Sequence, residues 1–282
     1  MTWWESIILG VVEGVTEFLP VSSTGHLTIT EKLMGMPIDD PGITAYTAII
    51  QIGAILAAVW YFREDIVRIG VAFVKGLTNK GARDADYNMG WAVVVGTVIT
   101  SVVALLGKDL ITGALRSMWV VAAGLIIWSV AMYLGDRHSA KLSASEKRGL
   151  ETITWKDGAI LGTVQCLSLV PGVSRSGATI TGGLFSGLDR VAATKLSFFL
   201  GIPALVAAGV YEAASEASHI DATIGWGVTG IGTVVSFIVA YASIAWLLKF
   251  VASNTFTSFV IYRVLVGLAI IGLLLANVIT AV

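Results

Sequence analysis

Charge is scarce in this 282-residue chain, where Asp, Glu, Lys and Arg together supply 13% of the residues. Soluble domains carry about 25%, so a water-facing globule is excluded. The mean hydropathy of +0.84 points instead to several membrane crossings. A formal net charge of −1 leaves no basic field for a phosphate backbone, which excludes nucleic acid as a partner. Cysteine is almost absent. Cys166 stands alone, so no internal disulfide can form, and its apolar surroundings suit a small packed side chain. No basic residue precedes the first apolar run, Glu5 stands where a positive n-region would lie, and Glu13 and Glu17 interrupt the run. A cleavable signal peptide is therefore not expected.

What the chain does contain is concentrated in one stretch, Ile8 to His26. It is apolar enough for a bilayer yet carries Glu13, Glu17, Ser22, Ser23, Thr24 and His26. Glu13 and Glu17 are four apart, one turn above the other on a helix face. A carboxylate at membrane depth costs at least ~2.5 kcal/mol, which makes it a functional candidate. Pro20 interrupts the helix, and the hydroxyls that follow can cap the next one.

Hydropathy predicts spans at roughly 43–62, 88–107, 117–134, 196–213, 224–247 and 258–280. Residues 5–19 and 24–36 are each too short to cross, since a crossing needs about 20 residues. A short polar turn covers Pro37-Ile38-Asp39-Asp40-Pro41, and block 158–187 is broken at Pro171-Gly172-Val173-Ser174-Arg175-Ser176-Gly177. Segments 63–86 and 135–157 are rich in Lys and Arg and are placed on the cytoplasmic side. Segment 212–223 has Glu212, Glu216 and Asp221 but no Lys or Arg, and is placed outside. Counting crossings then makes 158–187 a re-entrant hairpin from the inside and 5–36 one from the outside.

The halves resemble each other. At an offset of 152 residues, Ile8-Leu9-Gly10 faces Ile160-Leu161-Gly162, Glu13 faces Gln165, Val21-Ser22 faces Val173-Ser174 and Gly25 faces Gly177. The expected fold is an all-α polytopic membrane domain of two inverted repeats, 1–134 and 158–282. Each repeat is a re-entrant helical hairpin plus three transmembrane helices, with the site at the repeat interface.

Bringing the two breaks together gathers Glu13, Glu17, Ser22, Ser23, Thr24 and His26 against Ser174, Arg175, Ser176 and Thr179. Half-helix N-termini favour an anion, and the planar fork of Arg175 suits phosphate oxygens. The two carboxylates could share Mg²⁺ or Ca²⁺. His26 suits acid–base work and a neighbouring serine suits nucleophilic attack. Together these parts describe phosphoryl transfer on a lipid-linked phosphate. Each part alone has a plainer use: the serines in helix packing, the carboxylates and Arg175 in bonding freed backbone, His26 as a satisfied structural histidine. His138 and His219 fall in expected loops, and Arg263 near a span end is expected to snorkel. Trp3, Trp4, Trp60, Trp91, Trp119 and Trp155 read as interface anchors. A transporter or lipid flippase is the rival class, because inverted repeats with broken helices also build transporters.

Glu13-Gly14-Val15-Thr16-Glu17-Phe18-Leu19-Pro20-Val21-Ser22-Ser23-Thr24-Gly25-His26 resembles the first signature of the bacterial undecaprenyl-pyrophosphate phosphatases, the bacitracin-resistance proteins. Pro171-Gly172-Val173-Ser174-Arg175-Ser176-Gly177-Ala178-Thr179 resembles their second. The resemblance also takes in Gln51-Ile52-Gly53 and Ile261-Tyr262-Arg263. It implies an inner-membrane hydrolase that converts undecaprenyl diphosphate to undecaprenyl phosphate, with its site open to the outer face and a divalent cation required. Glu13 and Glu17 match the acidic motif, Ser23 the nucleophile and His26 the acid/base. Ser22, Thr24, Gln51, Ser174, Arg175, Ser176 and Thr179 are the expected substrate contacts. Neither the residues nor the resemblance chooses between Ser23 and direct attack by water, and a homodimer is left open.

Overall fold

The computed structural model describes residues 1–37, 40–107, 115 and 117–281, with backbone alone at 210 and 212–223. Ile38 and Asp39 of the polar turn, and the side chains of Glu212, Glu216, His219 and Asp221, lie outside the described set. Eleven α-helices and no strand occur among the described residues. They are α1 (Trp3–Thr16), α2 (Ser23–Leu33), α3 (Pro41–Tyr61), α4 (Arg63–Thr78), α5 (Ala85–Leu106) and α6 (Met118–Lys141). After these come α7 (Trp155–Gln165), α8 (Arg175–Phe185), α9 (Arg190–Thr223), α10 (Trp226–Ser253) and α11 (Thr257–Leu275).

Six of them are long and apolar enough to cross a membrane: α3, α5, α6, residues 190–209 of α9, α10 and α11. The chain is a multi-pass membrane protein. The outward-facing tryptophans Trp3, Trp4, Trp60, Trp119 and Trp155 are exposed, as interface anchors require. The charged segment after α3 is itself helical. In α4, Val67, Val71 and Val74 are exposed while Arg68 pairs with Asp65 and Asp86.

The remaining short helices form two broken pairs, α1–α2 and α7–α8. With 14 and 11 residues, α1 and α2 are about 21 and 16 Å long, too short to cross alone. Both pairs are built by the same local chemistry, 152 residues apart. A capping box opens each, Thr2 with Glu5 and Thr154 with Asp157, satisfying first-turn N–H groups. Each break ends on a serine with positive φ, Ser22 at 77° and Ser174 at 76°. Their hydroxyls accept hydrogen bonds from Gly25 N and Gly177 N and so cap α2 and α8. Non-glycine residues held this way store about 1–3 kcal/mol of strain, which the surroundings must over-determine. α1 lies against α10 and α7 against α5, so each broken pair packs on a helix from the other half of the chain.

The 135–157 connection is tied down rather than loose. Arg148 forks onto Asp157 with distances of 2.8 and 2.9 Å and reaches the carbonyls of Thr152 and Ser186. Burial alone would raise the Asp157 carboxyl. The Arg148 fork and the Thr154 N–H and hydroxyl outweigh it and hold the group below its ordinary range. A lowered folded-state value contributes stability above the unfolded pKa of about 3.9, lost as pH falls through the lower folded value. Asp157→Asn should cost about 2 kcal/mol at neutral pH, discounted for the partly exposed arginine. Thermal unfolding in detergent should show the gap between variant and parent closing as pH drops below that range.

Candidate active site

The two breaks meet in the interior, where an aromatic floor supports them. Phe18 sits edge-on to Phe198 at 5.4 Å, and Phe62 joins Phe198 and Phe199. Above it Ser176 Oγ donates to Leu19 O at 2.9 Å, stitching α8 to the first break. Two adjoining cavities open there. One of about 130 Å³ is lined by Glu17, Ser22, Ser23, Gln51, Ser174 and Arg175 among others. The other, about 360 Å³, is lined by Glu13, Ser23, Thr24, Glu31, Thr47 and Gln51 among others. Ser23, Thr24, Gln51 and Pro171 belong to both.

Glu17 is the hub. Its Oε2 accepts a hydrogen bond from Ser23 Oγ at 2.7 Å and a longer one from Gln51 Nε2 at 3.4 Å. Its Oε1 faces Arg175 Nη2 at 3.5 Å. A serine hydroxyl donating to a carboxylate is the arrangement of a nucleophile with its base. Arg175 is held from three sides: Nη1 donates to Ser197 O at 3.2 Å, Nη2 lies 3.5 Å from Glu17 O, and Cζ stands 5.6 Å over the Phe18 ring. Its Nε has no hydrogen-bond partner. At so long a distance from Glu17 the guanidinium keeps capacity for an anion in the smaller cavity.

Glu13 lines the larger cavity completely buried, and neither carboxylate oxygen has a hydrogen-bond partner. An ionised carboxylate in that state is costly unless something positive joins it. No group of three or more His, Cys, Asp or Glu gathers into a metal cluster among the described residues.

His26, Ser176 and Thr179 line neither cavity. The His26 ring is taken up by Ser22 O at 2.8 Å from Nδ1 and by the Tyr262 hydroxyl at 2.7 Å from Nε2. Because Ser22 O can only accept, Nδ1 carries a proton, and in the neutral ring Nε2 then accepts from Tyr262. Thr179 Oγ1 donates to Arg175 O and accepts from the Ser197 hydroxyl. Ser174 and Ser22 are cavity walls, with hydroxyls engaged as helix caps. Ser22, Ser23, Thr24, Gln51, Ser174, Arg175, Glu13 and Glu17 are thus assembled around the cavities, and the other three stand behind them.

Arg263 corrects the sequence reading. Instead of snorkelling it is 0% exposed. Its guanidinium donates to Pro20 O at 3.0 Å, Gly172 O at 2.9 Å and Val173 O at 3.1 Å, with Gly124 O, Leu125 O and Ser129 Oγ also in reach. Tyr262, at the neighbouring position, reaches the His26 ring with its hydroxyl and has no marker in the sequence as a site residue. The available signal was an arginine within a span, which normally faces the bundle interior and bonds backbone carbonyls.

Broken helices bring a serine–carboxylate pair and an arginine to a shared cavity, a set of groups suited to phosphate chemistry. The sequence carries that class to a family. The chain belongs to the bacitracin resistance protein BacA family, whose model matches residues 6–269. It is 58% identical over 289 residues to an undecaprenyl-diphosphatase of Cutibacterium acnes, covering all of both chains. It is 49% identical to undecaprenyl-diphosphatase 3 of Frankia casuarinae, covering 98% of each. A Mycobacterium sp. (strain KMS) undecaprenyl-diphosphatase is 42% identical over the full length of both.

Proposed function

We propose that this chain hydrolyses undecaprenyl diphosphate to undecaprenyl phosphate and inorganic phosphate, recycling the carrier lipid of wall polymers and conferring bacitracin resistance. The shared name of full-length relatives supports the reaction. The observation that carries it is the Ser23 Oγ hydrogen bond to Glu17 Oε2 with Arg175 on the other side of that carboxylate. A flippase needs an anion clamp but has no use for a serine paired with a base.

Ser23 attacks the terminal phosphorus while Glu17 takes the hydroxyl proton. The bond from that phosphorus to the bridging oxygen breaks, and undecaprenyl phosphate departs with the proton from Glu17. Water then attacks the phosphoserine, Glu17 accepting its proton and returning it to Ser23 Oγ. Arg175 and the N–H groups opening α2 and α8 meet the charge on the phosphoryl oxygens. His26 and Tyr262 brace the Ser22 turn, so His26 contributes by position here rather than by touching Ser23.

Glu13 and Glu17 would hold a divalent cation, Mg²⁺ or Ca²⁺, and the unpartnered Glu13 oxygens fit that assignment. Such a hard ion takes one or two carboxylates plus substrate oxygens, and when bound it neutralises phosphate charge.

The architecture we propose is two inverted repeats, 1–134 and 158–282 around the cytoplasmic connection 135–157, with re-entrant hairpins at 5–36 and 158–187. The matched capping boxes and serine caps support it. With the basic segments inside, the cavities belong to the outer face of the bacterial inner membrane.

Purified protein should release phosphate from a C55 isoprenyl diphosphate and lose at least ~10²-fold in rate with EDTA, regained on adding Mg²⁺ or Ca²⁺. Release unaffected by EDTA would remove the cation from Glu13 and Glu17. No release from folded, metal-supplied protein would move the reading to transport.

A further inference from the structure

We propose that Arg263 is a positioning residue, a single guanidinium that holds the Ser22 and Ser174 turns in register for the reaction; this rests on the hydrolase reading above. The inference starts from the strain. Ser22 and Ser174 both sit near φ 77°, where serine does not stay unless neighbouring backbone is fixed. The carbonyls one or two residues ahead of each strained serine lie in the non-helical breaks, past the helix ends at Thr16 and Gln165, and would be unsatisfied in a bilayer.

Arg263 satisfies both sets at once. Nη1 takes Pro20 O, two residues before Ser22. Nη2 takes Gly172 O and Val173 O, the two residues before Ser174. Pro20 and Gly172 are 152 apart in the sequence, so one planar fork bridges equivalent points of the two breaks. Its own placement is fixed by Ser129, whose Oγ accepts from Nε at 3.1 Å while donating to Leu125 O at 2.7 Å. Every hydrogen-bond acceptor around it is neutral among the described residues. The side chain is thus not half of an ion pair. Its charge faces five carbonyl dipoles and one hydroxyl, an arrangement that suits a bracket and not a surface anchor.

The consequence is geometric. Ser23 follows one turn and Arg175 follows the other, so the distance between nucleophile and anion clamp is set through Arg263. A lysine ammonium is a point donor without the planar fork, and it cannot span both turns with the same spacing.

The test compares Arg263→Lys and Ser129→Ala with the parent by kinetics and by hydrogen–deuterium exchange of the amides. Arg263→Lys should lower kcat about 10²-fold with KM changed less than about threefold, the scale of a 1 Å misplacement. Exchange should rise at 21–26 and 172–177 together while α3 and α10 stay protected. Ser129→Ala, which keeps the guanidinium and removes one anchor, should fold normally and show the same pattern at about three- to tenfold in kcat. If Arg263→Lys does not fold, Ser129→Ala decides alone. Unchanged kcat per folded molecule, or protection lost evenly throughout the chain, overturns the proposal. If the parent itself releases no phosphate, the hydrolase reading fails, and the exchange pattern at the two turns still decides whether Arg263 brackets them.

Discussion

Arg175→Ala lowers kcat/KM for undecaprenyl diphosphate by about 10³-fold, the upper range for removing one preorganised donor. The expectation follows from how the side chain is held. It touches Ser197 O, Glu17 and the Phe18 ring, yet keeps Nε unpartnered and lies 3.5 Å from Glu17 Oε1. A tight structural ion pair would close that distance. A companion variant separates geometry from folding: a Cβ added at Gly201 would collide with Arg175 Nη1 and Cζ. Gly201 lies inside α9, where alanine is favoured by about 1 kcal/mol on helix propensity alone. Helix propensity offsets part of the overpacking cost, so Gly201→Ala should stay folded at assay temperature while losing about 10- to 100-fold in kcat/KM by displacing the guanidinium. Phosphate release measured alongside thermal unfolding in detergent checks both. An Arg175→Ala protein with parental turnover would remove the anion clamp from the mechanism.

Much of this arrangement was legible because its causes are local. Six apolar runs give six candidate spans, and Pro20 and Pro171 mark the two breaks in the sequence itself. The pairing of Ser22 with Ser174 came from the 152-residue offset, and both serines take the same φ and the same capping role. Helical phase was harder to read. Arg175 and Ser176 are adjacent, so they point about 100° apart, and when Arg175 faces the cavity Ser176 turns to Leu19 O. His26 lies four residues after Ser22, one helical turn on, which lets its ring reach Ser22 O instead of Ser23. Long-range partners left no local trace. Arg263 is 243 residues from Pro20, and Tyr262 is 236 from His26. Hydropathy registers only that a charged residue sits near the start of a span.

Glu17→Gln should lower kcat about 10³- to 10⁴-fold, because it removes the proton acceptor without emptying the space. In the parent, Oε2 accepts from both Ser23 and Gln51. An amide at this position presents one oxygen and one NH₂ group, so at most one former acceptor position survives and neither can take a proton. Ser23→Ala should cost a similar factor if the serine is the nucleophile. The two losses should then combine to little more than either alone, as for residues acting as one unit. Rapid quenching of the parent with labelled substrate should trap phosphate on Ser23 at a stoichiometry approaching one where hydrolysis of the phosphoserine limits turnover. Ser23→Ala protein retaining a tenth or more of parental kcat would remove the covalent step. Glu17 would then act as base for an attacking water, since its carboxylate lines the same cavity as Arg175 with or without the serine.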